Sequence, residues 1–516
     1  MPPERGRLGS GAIDPLVLAA GAVVCYGGPV VRRLGFYVDD WALIQQTSII
    51  GGGLAHMTLA QLHGALLFRP TDVLGWTVPY WLFGARPLPW HLLAMFMTWL
   101  LGLTLFRILR KHAAPRPHAL AAALLFMAFP NKDATLFWPC AALNISAALL
   151  LFLLAYLEHV RYLEGAGESA LWLSAILLLL GLSTYEQAFF LLPIWIAAPD
   201  ALRIDRRGRL RRSLKTAVAT VSALALCKFV LTAHFVKYNK PVALSLRHAI
   251  FVAYMAIRAV ADPRWMLYLL RLAWRDLSWH PFLVLAALAL PAAVFFFVPN
   301  DEALPSIERS KPLLAWGAAV YVLGYLPFCF SDYAPAAYDH MNRLNQLPAV
   351  GIAAIACAWS CAAPRDRRRL AALAAAAAFA LWTSTAFAEV WAESYRRQLA
   401  VRDAVLSQLE AWPRGEVLLL RLPELYAARK APVFVADYDL SSAIQLWSGQ
   451  PDRRAVVYSQ WTKLGADALE TPAGSVPYGS ALLLDMTDGR IRTLDRRRAR
   501  ALPPLLEPWE QPLQLW

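Results

Sequence analysis

The chain has 516 residues, of which 58% are hydrophobic and only 17% charged, and its mean hydropathy is +0.42. Soluble domains carry roughly 25% charge, so the about three or four soluble domains that the length alone would suggest are excluded as the main body. The net charge of +14 does not point to nucleic acid, because the basic residues gather in short clusters between apolar runs, as at 203–215 and 365–369, with no nucleic-acid-binding motif beside them.

From the N-terminus, Arg5 and Arg7 precede an apolar stretch in the manner of a signal peptide. No convincing cleavage site follows, so this stretch is expected to stay as a first span. A helix needs about 20 apolar residues to cross a bilayer core. Spans are expected near 14–34, 88–109, 117–130, 136–157, 169–183, 187–200, 214–236, 280–298, 312–330, 346–363 and 369–389. This is a polytopic α-helical membrane protein with about 11 transmembrane helices.

Charge gives the orientation, because cytoplasmic loops collect Lys and Arg. With the N-terminus inside, the cytoplasmic loops are 107–116, 158–168, 203–215, 300–311 and 364–369. The opposite loops, 35–87, 131–135, 184–186, 237–279 and 331–345, hold fewer clustered arginines and more Asp, His, Tyr and Trp. Frequent Ala and Arg suggest a GC-rich bacterial genome, and so a multi-pass protein of the bacterial inner membrane.

After residue 389 the texture changes: apolar runs shorten, and charges and prolines become regular. Segments 416–421, 432–436, 455–458 and 481–485 read as buried strands, and 396–411 and 440–447 as helices. The chain divides into a transmembrane domain, 1–389, and a small C-terminal α/β extracytoplasmic domain, 390–516. None of the six cysteines forms a CxxC pair, so no disulfide framework or zinc site is expected.

The loop at 35–87 carries the chemistry. It opens with Tyr37, Val38, Asp39, Asp40 and Trp41. Adjacent carboxylates beside a membrane face are costly, because desolvation and mutual repulsion both oppose ionisation. One of the pair can point at a reacting centre while the other orients it; a helix N-cap on a solvated loop explains the pair equally well. Farther along, Arg69 could grip a phosphate or anchor the interface. Lys228, inside an expected span, is a charge of the kind that often marks function. His56, His63 and His91 lack metal-ligand spacing, so no metal site is expected.

These residues sit in a longer pattern. The acidic pair is followed by Phe68-Arg69-Pro70, by a GxxPLPWH approach to a span at 84–91, and by LFMAFPNKDATLFWPCAALNISAALLLFLLAYL at 125–157. LSTYEQAFFLLPIWI follows at 182–196. Over roughly residues 10–240 the chain resembles polyprenyl-phosphate-sugar-dependent glycosyltransferases of the GT-C superfamily, in particular the bacterial relatives of the protein O-mannosyltransferase-like branch. One departure is Tyr185, where that family often carries Lys.

The resemblance implies a GT-C-like bundle and a transfer of sugar from a polyprenyl-phosphate donor to an extracytoplasmic glycan, lipid or protein. It maps the catalytic acidic pair onto Asp39 and Asp40, the first acid of such a pair being the general base, and supporting acids onto Asp133 and Glu186. Arg69 and Arg343, the latter in YDHMNRLNQLP at 338–348, would hold the donor phosphate. No cofactor is implied, and a divalent metal stays open. The expected partners are the lipid-linked sugar, the acceptor and the bilayer. A polysaccharide flippase or polymerase, or a non-catalytic membrane protein, is the alternative. A transporter would carry mid-span charges and paired repeat halves.

Overall fold

The computed structural model describes residues 13–62, 69–195, 207–235, 245–299, 307–331, 333–362, 367–459, 462–471 and 474–502. The helices run in chain order: α1 (Ile13–Cys25), α2 (Asp39–Ile50), α3 (Leu54–Leu62), α4 (Pro70–Phe83), α5 (Pro87–Lys111), α6 (Arg116–Met127), the single turn α7 (Ala134–Phe137), α8 (Pro139–Glu164) and α9 (Glu168–Thr184). There follow α10 (Arg207–Phe235), α11 (Leu246–Ala261), α12 (Pro263–Trp279), α13 (Pro281–Phe297), α14 (Ile307–Tyr325), α15 (Gln346–Cys361), α16 (Arg367–Leu406), α17 (Asp437–Ser448) and α18 (Arg496–Arg500).

Among the described residues, five helices are long and apolar enough to cross a membrane: α5, α8, Ser310–Phe330, His340–Cys361 and α16. A sixth arises if the bent pair Leu246–Ser278 and Pro281–Phe297 counts as one span. Several of the other expected spans form shorter helices. The 12 residues of α6 rise only about 18 Å at about 1.5 Å each. Every α6 residue after Arg116 is buried, so this helix is wrapped by its neighbours and not by lipid. In contrast, α9 shows Trp172, Leu173, Ile176 and Leu179 on its outside, and α13 shows Phe282, Leu285, Phe296 and Phe297. Such continuous apolar exposure has no counterpart on a water-borne monomer. The chain is a helical membrane protein.

Helices α14 and α15 cross at glycines. A Cβ on Gly351 would stand 2.5 Å from the Gly317 carbonyl oxygen, so the two backbones touch. Close approach through small residues is how helices associate where lipid removes the hydrophobic drive.

The polar contacts sort to two ends of the bundle. At one end Lys111 pairs with Glu164 at 2.7 Å, Arg116 with Asp14 at 2.8 Å and Arg212 with Glu168 at 2.7 Å. At the other, Cys140 N donates to Asp40 at 2.8 Å, Thr71 and Ser183 share a hydrogen bond of 2.5 Å, and His248 bonds the Phe328 carbonyl at 2.9 Å. The described residues of the basic loops, 107–116, 158–168 and 207–215, thus lie toward one face, and the described residues of the loops rich in Asp and aromatic side chains toward the opposite one.

Helix α16 does not stop at residue 389. It continues to Leu406 without a break, so the boundary at 389/390 falls inside a helix. Its 40 residues extend about 60 Å, twice the ~30 Å hydrocarbon core. The first part is buried among α1, α6, α13 and α15. The last part packs on the main sheet through Val401 and Val405, and beside it Ser394 donates to the Pro432 carbonyl at 2.6 Å and Gln398 to the Val433 carbonyl at 2.8 Å.

Strands β5 (Lys463–Leu464), β6 (Ala468–Thr471) and β7 (Gly474–Pro477) form a separate three-stranded sheet, while the main sheet is ordered β4 (Arg454–Val457), β1 (Val417–Arg421), β8 (Ala481–Asp485), β9 (Arg490–Thr493). The first three strands are parallel and β9 is antiparallel. Leu418, Leu420, Val457 and Leu484 face α16 and α17, while Leu419, Val456 and Leu483 face the other side. Burial on both faces explains why these strands are apolar without alternation. The strand expected at 432–436 is shorter: β2 (Tyr426–Ala427) and β3 (Ala431–Pro432) form a two-stranded hairpin, and the chain then runs extended into α17.

Candidate functional site

The acidic pair opens α2, and its backbone is constrained. Val38, just before it, has φ 46° and ψ −115°, which a β-branched residue adopts only where the surroundings impose it. The surroundings here are dense. Tyr37 donates its hydroxyl to the Trp391 carbonyl at 2.8 Å, and His91 Nε2 donates to the Gly35 carbonyl at 2.8 Å. The Tyr395 ring occupies the space where a Cβ on Gly35 would stand.

The two carboxylates have different surroundings. Asp40 is 0% exposed. Its Oδ2 accepts from Tyr37 N at 2.9 Å and its Oδ1 from Cys140 N at 2.8 Å, in the first turn of α8. It therefore ties the start of α2 to the start of α8, two helix ends that carry partial positive charge. Burial pushes its carboxyl well above the usual range, against the pull of those two N–H donors. Asp39 is partly exposed, and its Oδ1 accepts from the Tyr438 hydroxyl at 2.6 Å. That phenol belongs to α17, in the C-terminal domain.

Arg343 reaches the same place from the opposite side. Its guanidinium stands 5.0 Å over the Trp138 ring and donates to the His340 carbonyl at 3.2 Å. His340 in turn stacks on Tyr426 and shares a 3.2 Å hydrogen bond with its hydroxyl. Asp72, on α4, accepts from Asn144 of α8 at 3.1 Å. Asp39, Asp40, Asp72 and Arg343 are all within electrostatic reach of the Cys140 thiol, so they surround the N-terminal turn of α8. Arg69 precedes α4 and lies 4.5 Å over the Tyr185 ring. The Thr71–Ser183 bond fixes that contact beside the same cluster. Arginines stacked on aromatic faces beside a helix N-terminus make a site for an oxyanion.

Asp133 is placed elsewhere. It is buried, its Oδ1 accepts from Asn342 Nδ2 at 2.5 Å and from Lys430 Nζ at 2.8 Å, and its Oδ2 accepts from Trp391 Nε1 at 2.9 Å. Lys430 also donates to the Ala337 carbonyl and lies 4.1 Å over the Trp265 ring. The β2–β3 hairpin tip thus plugs into the bundle, and Asp133 is its socket. The Glu186 side chain lies outside the described residues, although its backbone starts the 3₁₀ segment Glu186–Leu191. The side chains of His63 and Lys228 also lie outside them. Among the described residues, no group of three or more His, Cys, Asp or Glu side chains is arranged to hold a metal ion.

Tyr438, Asp72, Asn144 and Trp138 join the site without having been singled out as part of it. Asp72 stands two residues beyond Pro70, one step past the FRP motif. Asp439, in the first turn of α17, caps the helix from inside: it accepts from Val435 N at 3.1 Å and Ala436 N at 3.3 Å.

No known family model matches the chain, and no characterised protein matches it in sequence. What the fold and site define is a membrane protein of helices, with a small α/β domain seated over a cluster of carboxylates and arginines.

Proposed function

We propose that this chain is a glycosyltransferase of the GT-C type that takes sugar from a polyprenyl-phosphate donor in the bacterial inner membrane. The observation that carries the reading is that partly exposed Asp39 and Arg343 both lie within electrostatic reach of Cys140, in the N-terminal turn of α8. In this mechanism Asp39 accepts the proton of an acceptor hydroxyl. The acceptor oxygen bonds to the anomeric carbon as the bond from that carbon to the phosphate oxygen breaks, and polyprenyl phosphate leaves with the electron pair. Arg343 and Arg69 receive the charge that grows on the phosphate. Asp40 acts through Asp39, by fixing the α2–α8 junction. The C-terminal domain covers Asp39 through Tyr438, which suits it to hold the acceptor.

The test is direct. Purified protein in detergent, given a panel of polyprenyl-phosphate sugars, should consume one of them and release polyprenyl phosphate. Consumption of none, by protein shown to be folded, overturns the reading. Arg343→Ala should raise the donor KM about 10- to 100-fold, since a hydrogen bond to a charged group contributes about 1.5–3 kcal/mol. Arg69→Ala should act in the same direction, and unchanged KM in both removes the phosphate role.

The proposed topology has eleven crossings, with the N-terminus in the cytoplasm and the C-terminus in the periplasm. The basic loops gathered at one end support it. Reporter fusions after residue 112 should read cytoplasmic, and those after 60 and 415 should read periplasmic. A cytoplasmic signal at 415 sinks the orientation and the count together.

A further inference from the structure

The segment between α10 and α13, expected as an outer loop, forms two helices whose surfaces are divided in a regular way. One face of each is seated on the protein. From α11, Val252 and Ala256 pack with Tyr325, Phe328 and Leu344, and Tyr321 donates its hydroxyl to the Ala256 carbonyl at 3.1 Å. From α12, Trp265, Tyr268, Leu269 and Leu272 enter the main core, and Tyr268 donates to the Ala428 carbonyl at 2.7 Å. These partners lie at the end of the bundle that holds Asp39 and Asp133.

The remaining surface of α12 is sorted by chemistry. At about 100° per residue, the buried positions 265, 268, 269, 272, 273 and 276 fill one arc. Met266, Leu267, Leu270, Trp274 and Leu277, all exposed, fill the next. Arg264, Arg271 and Ser278 fill the third, and both arginines are exposed. The helix is thus buried, then bare and apolar, then basic, around its circumference. Helix α11 continues the apolar arc with Leu246, Ile250 and Ile257, each more than 60% exposed.

Two further observations say what covers this arc. It is continuous with the apolar outside of α13, where Phe282 is 84% exposed. The axis of Leu246–Ser278 also turns by 119° from that of Pro281–Phe297, which is closer to a right angle than to a reversal. Two helices that turn sideways from a span, with an apolar arc next to a basic one, have the chemistry of a layer that is hydrocarbon on one side and anionic on the other. A second protein would need no such ordered boundary.

We propose that α11 and α12 lie in the headgroup layer of the membrane leaflet at the Asp39 end. The arc of Met266, Leu270 and Trp274 enters the acyl chains, and Arg264 and Arg271 bind the anionic headgroups of phospholipids. This inference rests on the membrane class of the chain and not on the transferase reading. It makes the pair a collar on the bundle, at the depth where the acidic pair opens.

The experiment is spin labelling of the full-length protein, with the native cysteines replaced, in phosphatidylcholine vesicles with and without phosphatidylglycerol. Single cysteines replace Arg264, Met266, Leu270, Arg271 and Trp274 in turn. Labels at 266, 270 and 274 should collide with oxygen and be shielded from a water-soluble nickel chelate, and labels at 264 and 271 should show the reverse. In vesicles containing phosphatidylglycerol the label at 270 should sit deeper, and Arg264→Gln with Arg271→Gln should abolish that change. Nickel access at all five positions places the helix in water and overturns the proposal. Oxygen access at all five makes it a re-entrant segment, and exclusion of both reagents makes it a contact with another protein; either result overturns it too. Depth that ignores phosphatidylglycerol removes the anionic headgroups as the partner.

Discussion

Replacing Lys430 with methionine is expected to cost about 3–5 kcal/mol of stability, because it leaves the Asp133 carboxylate buried without its cation. The pair is fully enclosed, with side chains 0% and 1% exposed. Purified Lys430→Met should lose its folded form at a markedly lower temperature than the parent in the same detergent. Asp133→Asn in the same chain should restore part of the loss, since the amide oxygen can still accept from Trp391 or Asn342 while the buried charge is gone. A Lys430→Met protein as stable as the parent would show that the hairpin plug does not hold the two parts together.

The second large effect concerns the acidic pair, for which the structure separates two roles. If Asp39 is the base, Asp39→Asn should lower turnover by about 10²–10⁴-fold and leave thermal stability unchanged, because its carboxylate is partly exposed. Asp40→Asn should lose stability as well as activity. Its new amide N–H₂ would face a backbone N–H, of Tyr37 or of Cys140, and an unsatisfied buried donor costs about 1–3 kcal/mol. Tyr438→Phe should slow turnover by about tenfold through kcat, the equivalent of a lost hydrogen bond of about 1.4 kcal/mol, with the donor KM retained. Measured kcat and unfolding temperatures for the three variants decide the matter. Full turnover in Asp39→Asn would falsify the assignment of the base.

Five of the expected spans were legible because each signals itself locally. The runs expected at 88–109, 136–157 and 346–363 lie on α5, α8 and α15. The strands at 417–421, 454–457 and 481–485 were legible for the same reason, since a strand buried on both faces is a short apolar run between turns. The two interfacial helices were not, because Arg264, Arg271 and Arg275 interrupt their apolar residues, and in linear order the result looks like a loop. The end of α16 was misplaced at 389 because composition reports surroundings. When that helix leaves the bundle it gains Glu393, Arg396 and Arg397 without any change of backbone.

Of the site, the sequence marked Asp39 and Asp40, since adjacent acids beside a membrane face already carry a cost; the structure sets both, with Arg343, within electrostatic reach of Cys140. Tyr438 carries no local sign of its role, because it meets Asp39 across 399 positions of sequence. Asp133 looks like one more acid of the outer loops until Lys430, 297 positions away, is seen to claim it. Pairings at that range are made by the fold and leave no spacing to read.

The unbroken α16 has a consequence for where any chemistry can occur. A helix of 40 residues is a stiff rod of about 60 Å, of which the bilayer core takes about 30 Å. One end is clamped in the bundle and the other bears the sheet, while the hairpin plug adds a second attachment. The small domain is therefore mounted like an instrument on a fixed stand, with no hinge along the rod to raise or lower it. Tyr438 stays at one altitude above the lipid, the altitude of Asp39. A molecule that is to meet that carboxylate must come down to the membrane surface, because the rod that carries Tyr438 does not lift it.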